Sequence, residues 1–321
     1  MIRLGIVGLG PWGKRLVESV QGKSDKVKFA AAYVPRPEKV ADYVAANSIK
    51  LAGSLDELFA DPAIDAIVSC GPANLHGEHS LAALNAGKPV LAIKPMALNA
   101  AQAQALGEAA SKKGLLLALG YNRCFMPNIT ALRTEIANGA LGQILHTEGD
   151  FCVHRHFNIK EGGWKGDPLH SPPGSLSDHV LYLTIEALGP LVQVHAISQH
   201  GVSDNRLSDV TATLAKARSG ASAFLTAIGT TANEFRFHVF GSKGWAEARG
   251  ERSFRLETAG GRSVTTEFLD ADPERLEVEA FADALTGHKP FPVTAQDAVH
   301  SVAVLEAIAR SANSGQPVSL G

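Results

Sequence analysis

An apolar run from Ile2 to Val7 ends directly in Gly8-Leu9-Gly10-Pro11-Trp12-Gly13, and Lys14 to Val20 can continue as a helix. This strand–turn–helix order constrains the chain more than any other feature. Glycines at these spacings permit a tight turn, close approach of the backbone to a pyrophosphate, and close packing of the helix on the strand. The helix N-terminus then faces the negative charge. Taken alone, the same residues also read as an ordinary glycine turn. Their place at the head of an alternating chain favours the phosphate-cradling reading.

The alternation continues through the first 120 or so residues. Apolar runs at 27–34, 66–70, 89–93 and 115–120 are continuous, as strands buried on both faces are. Between them, Ser54 with Glu57 and Asn99 with Gln102 fit capping boxes, and Gly87 and Gly114 stand where helices end. The pattern predicts an α/β Rossmann domain with a parallel sheet over residues 1–122. After about residue 140 the texture changes. Strand-like runs at 143–154, 193–198, 209–217, 221–228, 234–241, 254–258 and 263–268 follow one another, several of them alternating polar with apolar. They predict an α+β domain over residues 123–321 with a large, mainly antiparallel sheet, one face covered and the other open. Asp272-Pro273 and Thr294 with Asp297 mark the starts of two closing helices.

A length of 321 residues suits two domains. The formal net charge of -2 gives no electrostatic footprint for nucleic acid or an anionic membrane, so neither is an expected partner. Cys70, Cys124 and Cys152 are scattered and odd in number, which predicts no disulfide framework and a reducing, cytoplasmic location. No apolar run reaches the length of a membrane span, and glycines with Pro11 break the N-terminal apolar stretch before it resembles a secretory signal.

The end of the second strand bears on the cofactor. An NAD site places an acid there, on the ribose 2′-hydroxyl. Here Tyr33-Val34-Pro35-Arg36-Pro37 carries no acid before Glu38. Arg36 suits a 2′-phosphate, which favours NADP over NAD; a solvated loop charge accounts for it equally well. Lys94, just past the fifth run and followed by Pro95, stands at the strand edge where open α/β sheets bind ligands. On position alone, a lysine snorkelling to solvent is the simpler account.

The stretch from Ser175 to Gly189 reads as a buried helix carrying Asp178, His179 and Tyr182. Asp178 and Tyr182 are i, i+4 neighbours, whereas His179 points about 100° away from Asp178. Taken alone, the residues favour a plain account: Ser175 and Asp178 as a capping box, Tyr182 as a core aromatic, His179 as a satisfied histidine. His154 and His156 would share a strand face, but no acid completes a metal shell, so no metal is expected.

Several blocks together resemble the glucose–fructose oxidoreductase / inositol dehydrogenase / MocA (Gfo/Idh/MocA) family of NAD(P)-dependent oxidoreductases. They are Gly8 to Gly13; Pro72, His76 and Glu78-His79; Lys94-Pro95; Asn122-Arg123; 163–168 with Trp164 and Lys165; 240–250; and 314–320. The resemblance implies a cofactor held by Gly8, Gly10, Pro11, Trp12 and Gly13, with Pro72, His76, Lys94, Pro95 and Asn122 completing its site. It implies a small-molecule substrate, a sugar, cyclic polyol or related hydroxy compound, met by Lys94, Asn122, Trp164, Lys165, Asp178 and Tyr182. The family's Asp-x-x-x-His element falls on Asp178 and Tyr182, so Lys94 and Tyr182 form the implied acid–base pair, Asp178 assists, and His179 is an added candidate. A homodimer or homotetramer through the C-terminal sheet is also implied. Two departures stand out: Ile93 replaces the usual Glu before Lys-Pro, and Gly71-Pro72-Ala73 replaces Thr-Pro-Asn. An NAD-dependent glycosidase and a non-catalytic cofactor-binding sensor are the alternative readings.

Overall fold

Ile2–Val7 forms strand β1, whose inner positions are buried as an apolar run between two helical layers requires. The computed structural model describes residues 1–159, 176–203 and 207–321. Strands β2 (Val27–Tyr33), β3 (Lys50–Leu51), β4 (Ala66–Ser69), β5 (Val90–Ile93) and β6 (Leu117–Gly120) join β1 in a six-stranded sheet of order β3-β2-β1-β4-β5-β6. Every pair is parallel. The helices begin and end where the sequence punctuates them. Ser54 Oγ accepts from the Glu57 amide at 3.0 Å, Asn99 Oδ1 accepts from the Gln102 amide at 2.9 Å, and Gly114 closes its helix at φ 64°. Strand β3 is too short to show a pattern; pairing with Ala31 and Ala32 alone makes it a strand.

The register fixes what stands at the carboxyl edge. Val7 pairs with Ser69, Ser69 with Ala92, and Ala92 with Leu119. One residue further along lie Gly8, Cys70, Ile93 and Gly120. The strand order reverses between β1 and β4, the switch point at which open sheets bind ligands.

The second sheet contains β7 (Ile144–His154), β8 (Leu191–Gln199), β9 (Val210–Ala217), β10 (Ser222–Ile228), β11 (Thr230–Gly241), β12 (Gly244–Arg249), β13 (Ser253–Thr258), β14 (Ser263–Glu267) and β15 (Val318–Ser319). Its order is β14-β13-β12-β11-β7-β10-β9-β8-β15. Only β7 and β10 pair parallel. The helix Asp178–Leu188 covers one face; a Cβ added to Gly149 of β7 would lie 2.7 Å from Val180 Cβ, so glycine there lets the helix seat. On the open face Leu214 of β9 and Phe224 of β10 are direct cross-strand partners, both exposed, as is Ile197 of β8.

The chain forms two compact units, Met1–Asn122 with Asp272–Val299, and Arg123–Ala271 with His300–Gly321. The first break falls at residue 122, where the sequence also divides. The segment 272–299, which local pattern assigns to the second domain, packs with the first unit. Its helix Pro273–Leu285 is tied there by Glu274, which meets Arg15 at 3.0 Å and Asn122 at 3.1 Å, and by Asp283, which meets Lys26 at 2.8 Å. Among the described residues no helix is long and apolar enough to cross a membrane.

Candidate active site

The glycine loop assigns each glycine a different task. Gly8 has φ 99°, and a Cβ there would lie 2.8 Å from the Cys70 carbonyl oxygen; its amide donates to the Tyr33 carbonyl at 2.9 Å. A Cβ on Gly13 would run into the Gly8 carbonyl, so Gly13 lets the helix Pro11–Val20 pack on the strand. Gly10 differs: nothing lies within 4 Å of its Cβ position. It precedes a helix start that no side chain caps and that begins with Pro11, which has no N–H to satisfy. Gly10, Pro11 and Trp12 are exposed. The open space is a cradle that a Cβ would fill, facing the positive end of the helix dipole, and it fits a pyrophosphate.

Arg36 lies three residues past β2, exposed, and makes no side-chain hydrogen bond or ion pair among the described residues. Pro72 is exposed ahead of a short helical turn after β4. His76 is buried. Its Nδ1 lies 2.9 Å from the Pro95 carbonyl oxygen and its Nε2 2.8 Å from that of Gly71. Burial, the largest influence, pushes its pKa down, so the ring is neutral and donates to one carbonyl at a time. It therefore joins the loops after β4 and β5 and does not present a ring nitrogen outward. Lys94, partly exposed, stands directly after β5, and the Lys94–Pro95 peptide is cis. Asn122 is buried just after β6, with its amide donating to Glu274.

In the second unit the helix begins at Asp178 itself, after Ser177, which makes no capping bond with its side chain. Asp178 is thus the first helical residue and not the third; Ser175, its partner in the expected capping box, lies outside the described residues. The resulting arrangement is one fully buried carboxyl (0% exposed), one buried phenol at Tyr182 (1%), and a partly exposed His179. The His179 ring stacks on Phe151, centroids 4.2 Å apart and planes at 18°, and the Arg123 guanidinium lies 5.6 Å from the same Phe151 ring.

Arg133, on the helix Pro127–Ala137, was not singled out by the sequence. Its guanidinium takes Glu186 at 2.6 Å and 2.9 Å and donates to the Cys124 carbonyl. It is also within electrostatic reach of Tyr182. Glu186 stands four residues after Tyr182, so a helical repeat linking the pair was available as a signal.

One further expectation changes. Strand β7 ends at His154, and His156 turns into a short helix, buried against Gly229, so the two histidines do not share a strand face. Among the described residues no group of three His, Cys, Asp or Glu side chains is placed to hold a metal. Trp164 and Lys165 lie outside the described residues.

Known proteins share this architecture and sequence. Residues 2–121 match the oxidoreductase family with NAD-binding Rossmann fold, and residues 133–320 match its C-terminal alpha/beta domain. The chain is similar to 4-carboxy-2-hydroxymuconate-6-semialdehyde dehydrogenase of Sphingobium sp., 26% identical over 61% of this chain and 62% of that protein. It is 28% identical to 1,5-anhydro-D-fructose reductase of Ensifer adhaerens, over 88% of each chain. The crystal structure of the WlbA dehydrogenase of Bordetella pertussis, in complex with NADH and UDP-GlcNAcA, shares the fold with a TM-score of 0.87 at 20% identity, covering 100% of this chain and 98% of that one. Two domain matches in order, spanning nearly the whole chain, place this protein in the Gfo/Idh/MocA family of NAD(P)-binding oxidoreductases.

Proposed function

We propose that this protein is a dehydrogenase that moves hydride between a nicotinamide cofactor and a hydroxyl-bearing carbon of a sugar, cyclic polyol or related small hydroxy compound. The observation that carries the reading is the opening at Gly10, which the fold itself does not use, in front of an uncapped helix start. The reductase similarity noted above supports the substrate class.

A bound nicotinamide supplies a carbon that accepts or gives hydride. Gly8, Gly10, Pro11, Trp12 and Gly13 form the pyrophosphate cradle. The exposed, unpaired Arg36 suits a 2′-phosphate, so NADP is the favoured form. Pro72, Lys94 and Pro95 lie on the loops beyond β4 and β5, and His76 acts by tying those loops together. Asn122, anchored on Glu274, completes the row at the end of β6.

Oxidising a carbinol also requires removal of the hydroxyl proton. Tyr182 is the assigned acceptor and Lys94 its cationic partner in the acid–base pair. A phenol ionises near pH 10 in water, and burial makes that harder. A cation favours the ionised form, and Arg133 is such a cation within the second unit. Asp178, fully buried, suits substrate hydroxyls as donors. His179 is the competing base. The exposed Leu214–Phe224 pair on the open sheet suits self-association into a homodimer or homotetramer, and a cytoplasmic location is in keeping with three free, buried cysteines.

A screen of sugars and cyclic polyols, read by absorbance of reduced cofactor with NADP and NAD in parallel, tests the proposal. Reduction of NADP by at least one such compound, with the lower Kd for NADPH, is the expected result. A clear NADH preference would remove the Arg36 assignment, and no reduction by any member would contradict the substrate class.

A further inference from the structure

Tyr43, on the short helix Ala41–Ala46, grips Lys14 at both ends. Its hydroxyl donates to the Lys14 carbonyl oxygen at 3.1 Å, and the Lys14 ammonium lies over its ring, 4.6 Å from the centroid. Lys14 stands directly behind the glycine loop. Its amide donates to the Gly10 carbonyl at 3.0 Å, in the first turn of the helix Pro11–Val20. A lysine at that place can extend into solvent or reach toward the phosphate cradle. The Tyr43 ring draws this one to the segment that follows β2.

That direction has a meaning in this sheet. Strands β2 and β4 flank β1 on opposite sides. The Gly8 amide donates to the Tyr33 carbonyl at 2.9 Å, so the glycine loop rests against the end of β2. A dinucleotide bound across the switch point sets its adenosine ribose at the end of the second strand. Arg36 and Tyr43 both belong to the segment that follows β2, so the Lys14 ammonium is carried to the same side of the cradle as Arg36.

The charges there leave room for an anion. Lys14 and Tyr43 are both partly exposed, and Lys14 makes no ion pair among the described residues. Glu18, one turn further along the helix, lies beside the Tyr43 phenol. Burial, first, and that carboxylate push the phenol up to about 12, so it stays a neutral donor. A phosphate monoester carries roughly two negative charges at neutral pH, more than Arg36 alone balances. Lys39 is the rival second cation: it is exposed on the turn Pro37–Lys39 and makes no side-chain hydrogen bond or ion pair among the described residues. Lys14 differs in being held in place before any ligand arrives, which lowers the cost of ordering it.

We infer that Lys14 is a specificity-determining residue, a second cation for the 2′-phosphate of NADP that Tyr43 positions. The inference rests on the proposed NADP reading of Arg36.

The test compares 2′-phospho-ADP-ribose with ADP-ribose, which differ only in that phosphate. Kd for both is measured by calorimetry on wild type, Lys14→Met, Tyr43→Phe, Tyr43→Leu and Lys39→Met, alongside thermal unfolding. Lys14→Met keeps an apolar stem on the Tyr43 ring and removes the charge. It is expected to weaken 2′-phospho-ADP-ribose about tenfold, the loss of one charge-assisted contact, while leaving ADP-ribose unchanged. Tyr43→Phe keeps the ring and the preference, whereas Tyr43→Leu lowers the preference about threefold. Lys39→Met leaves it in place. Unchanged binding in Lys14→Met overturns the inference. Equal loss for both ligands also overturns it and assigns Lys14 to the pyrophosphate. A preference lost in Lys39→Met and kept in Lys14→Met overturns it in favour of Lys39. If Tyr43→Leu does not fold, the two ligands on Lys14→Met decide alone. A wild type with no preference for 2′-phospho-ADP-ribose would strike the NADP reading itself.

Discussion

At the scale of single residues, the three glycines of the loop separate structural need from functional need. Gly8 and Gly13 are fixed by the protein's own backbone, whereas Gly10 has free space where its Cβ would be. Gly10→Ala is therefore expected to change unfolding free energy by only about 0.5 kcal/mol, the size of a helix N-cap adjustment. The same change is expected to weaken cofactor binding at least about tenfold by filling the cradle. Thermal melts and cofactor titration check this; intact affinity in Gly10→Ala would move the pyrophosphate elsewhere. The glycine turn was legible from the chain alone, because it belongs to a short local pattern, and so was the place of Lys94 just past β5, but not a role for it. The position of His76 was legible but not its work, since both carbonyls it meets belong to loops brought to it by the parallel register. Asp178 shows the reverse case: the pattern Ser175–Asp178 suggested a cap, but the helix starts at Asp178.

At the scale of elements, caps, continuous apolar runs and alternating runs located most strands of the two sheets. The exceptions share a cause. Strand β12 (Gly244–Arg249) buries only Ala246 and Ala248 against polar alternates, so its hydrophobic contrast is small, and pairing with β11 and β13 on both sides makes it a strand. Strand β15 consists of Val318 and Ser319 and exists through β8. The helix Pro273–Leu285 was legible from its cap: Asp272 accepts from the Arg275 amide at 3.1 Å, ahead of Pro273. Asp272→Ala is expected to cost about 1 kcal/mol of stability, measured by denaturant unfolding. A cost near zero would mean that packing alone sets the start of that helix. The buried Glu274 on this helix was visible as an interruption of its apolar face, but its partners, Arg15 and Asn122, are far away in sequence.

At the scale of the whole molecule, sequence pattern divides the chain once and the structure returns it. Residues 272–299 come back to the first unit through contacts such as Glu274 with Arg15, separated by 259 positions, which no local pattern encodes. The first unit thereby gains the buried Glu274 beside Asn122, and the second carries Asp178, His179 and Tyr182 on one helix over a sheet whose other face is open. The central claim is that Lys94 and Tyr182 carry the proton when hydride moves. Single-turnover hydride transfer, with the substrate found in the screen, measures this in Lys94→Ala, Tyr182→Phe and His179→Ala, each first shown to bind cofactor. The account predicts a loss of about a hundredfold or more in Lys94→Ala and Tyr182→Phe, as for a lost general acid or base, and a smaller loss in His179→Ala. Full hydride transfer in Tyr182→Phe together with its abolition in His179→Ala would contradict the account and make His179 the base.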